Sequence, residues 1–161
     1  MKPYVEACSR LFMDEDFLEK CRVNEIANFL WFMSIARWHH EGVLEALGRR
    51  VLDPRPIDSC SPKLACRILG TFTSILSLEQ NRQESPSEDL RSLTAQLFHS
   101  YGGHLLTSQL LPAEVSSALY AYAKASYVQD MGIYDHLVSL MASMSSECSV
   151  RQLAQSGLVE K

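Results

Sequence analysis

The sequence has few of the residues that build tight turns or disulfide frameworks. Only 7 Gly and 6 Pro occur among 161 residues, too few for the many turns of an all-β fold. The five cysteines are Cys8, Cys21, Cys60, Cys66 and Cys148. Their odd number and the lack of a CxxC spacing indicate neither a disulfide framework nor a zinc site. A reducing compartment fits best, with Cys60 and Cys66 expected to be buried or partly buried thiols.

Long apolar runs and an excess of positive charge are missing too. The apolar segment 26–38 is interrupted by Asn28, Ser34 and Arg37, so no run approaches the roughly 18 to 20 residues of a membrane span. We therefore expect a soluble protein without a membrane partner. The net charge is −4, so nucleic-acid binding would need a local basic surface. No targeting segment is visible, so an imported protein would carry it outside this chain.

Motifs of catalysis and cofactor binding are also lacking. The sequence has no nucleophile elbow, P-loop or dinucleotide fingerprint. The adjacent His39 and His40 would point about 100° apart on a helix, and no HExxH spacing accompanies them. We expect a protein that is not an enzyme and has no cofactor, metal or small-molecule substrate. An enzyme with dispersed catalytic residues would instead need a deep pocket with converging titratable groups.

What the sequence does contain is a repeated helical pattern. The segments 26–31, 64–69 and 115–120 each place an aliphatic residue first, a small residue second, an aliphatic residue fifth and a bulky residue sixth. A fourth start is visible at Leu153-Ala154, which gives anchor spacings of 38, 51 and 38 residues. We assign the 13 extra residues of the middle spacing to an exposed polar loop at 79–89.

This pattern predicts an all-α fold, namely a right-handed α-solenoid of antiparallel helix pairs with about three full repeats and partial terminal units. Seven or eight helices and no sheet are expected. The predicted divisions are an N-terminal cap or partial repeat at 1–23, repeat 1 at 24–61, repeat 2 at 62–112, repeat 3 at 113–149, and the start of an incomplete repeat at 150–161.

Apolar faces and helix-start signals agree with this division. Apolar residues recur at helical spacing in the first helices (Ile26, Leu30 and Met33; Val115, Leu119 and Tyr122) and in the second helices (Val43, Leu44, Leu47 and Val51; Ile133, Tyr134, Leu137 and Met141). Pro62 and Pro112 suit a first helical turn, Ser87 suits a helix start, and Asp14-Glu15-Asp16 complements a helix dipole. Gly102-Gly103 predicts a break or kink.

Two units resemble a known class of repeat. Ile26-Ala27-Asn28-Phe29-Leu30-Trp31 in the first unit, and residues 118–125 with 133–137 in the third, are similar to the core of octotricopeptide and heptatricopeptide repeats. These repeats accompany FAST-kinase-like and RAP-domain proteins. The resemblance covers roughly residues 24–155. The middle unit matches less well, because Gly70, Thr71 and Phe72 replace the usual small pattern.

The resemblance implies an organellar RNA-associated protein without catalysis. The expected location is the mitochondrion, with plastid or cytoplasm as alternatives. The expected role is that of a component or assembly factor of the mitochondrial ribosome, with rRNA and ribosomal or other complex proteins as partners. The chain has no RAP domain, no kinase-like motif and no basic excess. These departures favour a scaffold or a ribosome-associated piece over autonomous RNA binding.

The predicted RNA-contacting residues are Asn28, Arg37, Arg67 and Lys124. Asn28 holds a polar repeat position, and the three cations are expected on first helices, where basic side chains would meet phosphates. The competing interpretation is that each is a solvated surface residue. The rival function is a non-catalytic protein–protein interaction scaffold, which predicts apolar or acidic grooves in place of a basic stripe.

Aromatic residues offer a second route to RNA. Trp31, Trp38, Tyr120, Tyr122 and Tyr127 could stack on bases, although aromatics at helical spacing are more often core residues. Trp31 and Tyr120 occupy the same repeat position. That equivalence favours a structural role between helices for both.

Overall fold

The computed structural model describes residues 2–53, 57, 59–80, 86–125 and 131–144. These residues form eight helices: α1 (Lys2–Phe12), α2 (Glu15–Lys20), α3 (Val23–Ile35), α4 (Glu41–Val51), α5 (Pro62–Gln80), α6 (Glu88–Leu106), α7 (Pro112–Ala125) and α8 (Met131–Ser143). The described part contains no strand, and none of its helices is long and apolar enough to cross a membrane. The predicted all-α class and number of helices are confirmed for these residues.

Helix starts follow the signals in the sequence. Pro62 and Pro112 open α5 and α7, where a missing backbone N–H costs no helical hydrogen bond. Ser87 and Asp14 cap α6 and α2, each side chain accepting a 3.1 Å hydrogen bond from the backbone N–H three residues on. These predictions are confirmed. His40 caps α4 in the same way, with Nδ1 accepting at 3.3 Å, a role that sequence reasoning missed.

The helices lie in two rows. In the first row α3 packs on α5 and α5 on α7, while in the second row α4 packs on α6 and α6 on α8. Each first-row helix also contacts the second-row helix that follows it in the chain. The short helices α1 and α2 contact each other and α4. The first row carries the candidate site.

The core lies between the rows and includes the apolar faces expected from sequence. The predicted residues of the first and second helices are buried with at most 2% exposure, namely Ile26, Leu30, Met33, Val43, Leu44, Leu47, Val51, Val115, Leu119, Tyr122, Ile133, Leu137 and Met141. Tyr134 is half-buried. The small second residues of the three described anchor segments, Ala27, Ala65 and Ser116, are fully buried. These predictions are confirmed.

The middle unit accommodates its additional residues in its helices. Helices α5 and α6 have 19 residues each, against 13 and 11 for α3 and α4. The prediction of an exposed loop at 79–89 is wrong at both ends, because α5 runs to Gln80 and α6 begins at Glu88. Glu and Gln are good helix formers, so a polar stretch can extend a helix. Residues 81–85 lie outside the described residues.

The predicted break at Gly102-Gly103 is also wrong, since α6 runs through both glycines to Leu106. Gly102 is buried because α7 and α8 approach α6 closely there. A Cβ on Gly102 would overlap the Tyr122 hydroxyl and the Ile133 side chain. The Tyr122 hydroxyl donates a 2.7 Å hydrogen bond to the Phe98 carbonyl. Gly102 is therefore a packing residue.

Some sequence predictions fall outside the described residues. These include the fourth repeat start at Leu153-Ala154, the incomplete repeat at 150–161, Tyr127 and Cys148. They stay predictions.

Candidate functional site

A basic cleft of about 730 Å³ lies where α2 ends and where α3 and α5 begin. Its lining contains five cations, Lys20, Arg22, Arg50, Lys63 and Arg67, and a single carboxylate, that of Glu19. The chain as a whole carries a net charge of −4. The basic cleft is therefore a local positive surface on an acidic protein.

Arg50 is the structural member of the basic cleft. Its Nε donates to the Leu18 carbonyl at 3.1 Å and its Nη2 to the Glu19 carbonyl at 3.3 Å. Its Nη1 lies 3.5 Å from the Asp53 carboxylate. Both carbonyls belong to the last turn of α2, and the Leu18 carbonyl also accepts from the Cys21 N–H at 3.1 Å. Arg50 thereby fixes α2 and the side chains around it against α4.

We expect Arg50→Met to lower the free energy of unfolding by about 1–2 kcal/mol, because two hydrogen bonds to the end of α2 are lost. Arg50→Lys keeps the charge but lacks the planar fork that spans both carbonyls. It should recover less than half of the loss. Urea denaturation followed by circular dichroism measures both variants. Full recovery by Lys would mean that charge, and not the fork, holds α2.

An aromatic groove of about 630 Å³ continues from the basic cleft across the first row. Its lining includes Trp31 on α3, Gly70 on α5 and Tyr120 on α7. The two openings share Lys63 and Arg67, so they form one continuous surface. A Cβ on Gly70 would meet no atom within 4 Å, so the middle of the groove is open.

A cation lies over each of the two aromatic rings that line the groove. The Arg67 guanidinium carbon lies 5.3 Å from the Trp31 ring centroid, and the Lys124 ammonium lies 5.5 Å from the Tyr120 centroid. Trp31 is 50% exposed and Tyr120 44% exposed. Cation–π contact orients such rings and places charge beside them. A planar ligand could stack on the remaining ring surface while its anionic groups meet the cations.

Trp31 and Tyr120 do not belong to the core, since they are 50% and 44% exposed, and their structural role between helices stays a prediction. The fifth residue of each of these anchor segments, Leu30 or Leu119, is buried. The sixth is turned about 100° around the helix and reaches the surface of the first row. The core interpretation does hold for Tyr122, which is buried.

The four predicted RNA-contacting residues occupy different places. Arg67 lines both the basic cleft and the aromatic groove, and Lys124 lies beside the groove over Tyr120. Asn28 is exposed on α3, three residues before Trp31 and hence on the same helix face. Arg37 lines neither opening. None of these placements tests RNA contact, so the four assignments stay predictions.

The expectation that Arg37 lies on a first helix is wrong. Helix α3 ends at Ile35, and Arg37 adopts the left-handed conformation with φ 49°. The Trp38 N–H donates to the Met33 carbonyl at 2.9 Å, the hydrogen bond that ends a helix in a Schellman motif. The chain reverses there, which takes Arg37 off the helix face.

Sequence reasoning missed Lys20, Arg22, Lys63 and Gly70. Two of them carried a usable signal. Arg22 and Lys63 stand at the N-terminal ends of the neighbouring helices α3 and α5. Cations are unfavourable there because the helix dipole is positive at that end. Basic residues at two adjacent unfavourable positions point to a role for their charge outside the helix.

The groove contains one buried thiol, that of Cys66. Burial, with a smaller contribution from the Glu114 carboxylate, raises the pKa of Cys66 to about 12, and the thiol donates to the Glu114 carbonyl at 3.3 Å. Burial alone raises the pKa of Cys60 to about 11. Both thiols are therefore protonated at neutral pH. The prediction that they are buried is confirmed.

A third opening, about 710 Å³ in volume, lies between α2 and α4 and has a different charge. It is lined by four carboxylates and two arginines, namely Glu15, Glu19, Glu45, Asp53, Arg49 and Arg50. Both arginines are paired within it, Arg49 with Glu45 at 3.7 Å and Arg50 with Asp53 at 3.5 Å. This acidic cleft leaves no unpaired arginine for an anionic ligand.

No protein-family model, no curated protein and no solved structure matches this chain. Its function must be inferred from the basic cleft and the aromatic groove.

Proposed function

We propose that this protein is a non-catalytic, RNA-associated helical-repeat protein that binds single-stranded RNA along its first row of helices. The observation that carries the proposal is the junction of the basic cleft with the aromatic groove at Lys63 and Arg67. Proteins bind single strands by combining a positive groove for the backbone with aromatic side chains for the bases. Both elements adjoin each other here.

The charges of the cleft support phosphate binding. Arg50 is engaged with α2 and Asp53, which leaves Lys20, Arg22, Lys63 and Arg67 as the cations that meet phosphates. Four such contacts supply an affinity that depends on salt and not on sequence. Trp31 and Tyr120 then add base stacking, worth about 1–3 kcal/mol per base.

The two-row packing supports an α-solenoid of helix pairs. The right-handed, antiparallel form and the octotricopeptide or heptatricopeptide type of the proposed repeats rest on the sequence pattern and its resemblance. First helices contact first helices, and second helices contact second helices, as in stacked repeat proteins. The second and fifth residues of all three anchor segments are buried. The bulky sixth residue varies, because Leu69 is buried where Trp31 and Tyr120 are exposed.

The proposed setting is the mitochondrion, with the protein acting as a component or assembly factor of its ribosome and rRNA as the bound strand. This part rests on the repeat resemblance alone. Affinity purification of the tagged protein from its native cell, with and without ribonuclease, tests it. Ribonuclease-sensitive recovery of mitochondrial rRNA and ribosomal proteins is expected. Recovery of cytoplasmic or plastid RNA would instead indicate that the protein works in that compartment.

We expect the folded protein to bind a fluorescent ten-nucleotide RNA, with an affinity that falls as salt rises. Four phosphate contacts on a single strand predict a slope of log affinity against log salt near −3. Lys63→Gln/Arg67→Gln should weaken binding at every salt concentration and reduce that slope by about 1.4. Fluorescence anisotropy at several salt concentrations measures both quantities.

The matched control also removes two positive charges, but at positions outside the basic cleft and the aromatic groove. Arg10 and Arg91 are exposed on α1 and α6 and line neither the basic cleft nor the aromatic groove. Arg10→Gln/Arg91→Gln should keep most of the wild-type slope. Equal losses in the two double variants would mean that only total charge matters. No RNA affinity at low salt, in protein shown to be folded, would end the proposal.

A protein-interaction scaffold is the second candidate function, and an aromatic line on α1, α2 and α3 favours it. The rings of Phe17 and Phe12 lie 5.5 Å apart, those of Phe12 and Phe29 3.8 Å, and those of Phe29 and Phe32 6.0 Å. Phe17 and Phe32, the ends of this line, are 36% and 38% exposed. Recovery of a ribonuclease-resistant protein partner without RNA would select this function.

A further inference from the structure

Three surfaces follow one another, from the aromatic groove through the basic cleft to the acidic cleft. The aromatic groove and the basic cleft share Lys63 and Arg67, and the basic cleft and the acidic cleft share Glu19 and Arg50. The sign of the charge changes at α2, because the lining of the basic cleft has one carboxylate and that of the acidic cleft has four. A chain of phosphates that enters from the groove is therefore attracted as far as the basic cleft and repelled beyond it.

The basic cleft holds more positive charge than one phosphodiester can neutralise. Arg50 is paired with Asp53 at 3.5 Å. The four cations that remain form no ion pair within the described residues, namely Lys20, Arg22, Lys63 and Arg67. The lining also includes first-turn residues of α3 and α5, Asn24 and Lys63. The positive ends of two helix dipoles therefore add to the field of the cations.

The phosphates of an RNA strand differ in charge between its interior and its ends. An internal phosphodiester carries one negative charge. A terminal phosphate monoester carries about −1.5 to −2 at pH 7 and has three strong acceptor oxygens, which lysine and arginine bind through charge-assisted hydrogen bonds. The group that best matches four cations without ion pairs, at the place where the positive surface stops, is therefore a terminal phosphate.

We infer that the basic cleft binds the phosphorylated end of a single-stranded RNA. This inference rests on the proposed RNA binding and deepens it, since it names the kind of strand that is bound. The Arg67 guanidinium lines the cleft and also lies 5.3 Å from the Trp31 ring centroid. A strand that ends in the cleft therefore places its terminal base beside Trp31, and the bases that follow continue along the groove toward Tyr120.

Competition between unlabelled ten-nucleotide strands tests this inference. U10 with hydroxyl ends, U10 with a 5′-phosphate and U10 with a 3′-phosphate each displace the fluorescent RNA, and anisotropy follows its release. We expect at least one phosphorylated strand to bind about tenfold or more tightly than the hydroxyl-ended strand, with a salt slope steeper by about 1. The end that gives this gain also shows the direction of the strand. The methyl ester of the same terminal phosphate has a single negative charge and should lose most of the gain.

A charge-removing variant places the terminal phosphate in the cleft. Lys20→Gln/Arg22→Gln should remove most of the gain, while the hydroxyl-ended strand still binds at the junction and in the groove. Both side chains are exposed, and it is the backbone N–H of Arg22 that donates to the Glu25 carboxylate at 2.7 Å, so the variant stays folded. Arg10→Gln/Arg91→Gln removes the same charge outside the cleft and should keep the gain.

The outcomes separate end recognition from RNA binding in general. Equal affinities of the three strands for the wild-type protein, or a methyl ester that binds as tightly as the monoester, would overturn end recognition alone. A gain that survives in Lys20→Gln/Arg22→Gln would also overturn it, because the phosphate would then lie outside the cleft. Binding of none of the strands by folded wild-type protein would overturn the proposed function and end recognition with it.

Discussion

Gly102→Ala is expected to lower the free energy of unfolding by about 2–4 kcal/mol. Its Cβ would overlap the Tyr122 hydroxyl and the Ile133 side chain, and overpacking of a tight core costs about 1–3 kcal/mol. Displacing Tyr122 also breaks its 2.7 Å hydrogen bond to the Phe98 carbonyl, at about 1–3 kcal/mol for the buried groups left unpaired. The better helix propensity of alanine offsets about 1 kcal/mol of this loss.

Gly103 is the matched control on the same helix. It is exposed, and a Cβ there would meet no atom within 4 Å. Gly103→Ala should therefore raise the free energy of unfolding by up to about 1 kcal/mol through helix propensity. Denaturation curves of the two variants should move in opposite directions. A Gly102→Ala protein as stable as wild type would show that α7 and α8 do not pack against Gly102 as described.

The elements of the fold could be predicted because their signals are local. Periodic apolar residues such as Ile26 and Leu30 are buried, and a proline or a capping side chain marks the start of several helices. Predictions that depended on neighbouring helices failed. The sequence predicts a break at Gly102 because glycine is a poor helix former, yet its missing side chain is what allows three helices to meet.

The sequence predicts only part of the candidate site. The residues that it does not predict are far apart along the chain and come together only in the fold. The sequence analysis predicts Arg67 in the basic cleft and Lys124 beside the aromatic groove as RNA-contacting residues. The basic cleft is also lined by Lys20, Arg22 and Lys63, which lie at the ends of three helices. Packing of α3 on α5 brings their charges together. No pattern within a single repeat encodes that assembly.

Gly70→Leu is expected to separate RNA binding from stability. A side chain at this position extends into the open middle of the aromatic groove, because a Cβ on Gly70 would meet no atom within 4 Å. The leucine would occupy the space of a base between Trp31 and Tyr120. Losing one or two stacked bases, at about 1–3 kcal/mol each, weakens binding of a ten-nucleotide RNA by at least about fivefold. Leucine meanwhile favours the helix over glycine by roughly 0.8 kcal/mol, so the protein should be no less stable.

Opposite changes in the two measurements distinguish a blocked groove from a damaged fold. Anisotropy titration gives the RNA affinity, and thermal melting by circular dichroism gives the stability. Gly103→Leu places the same side chain on α6, in the second row, and should leave RNA affinity unchanged. If Gly70→Leu binds RNA as wild type does, bases do not enter the groove, and the basic cleft alone would have to hold the strand. In that case Trp31→Ala should leave the affinity unchanged too, whereas a base stacked on Trp31 predicts a loss of at least fivefold.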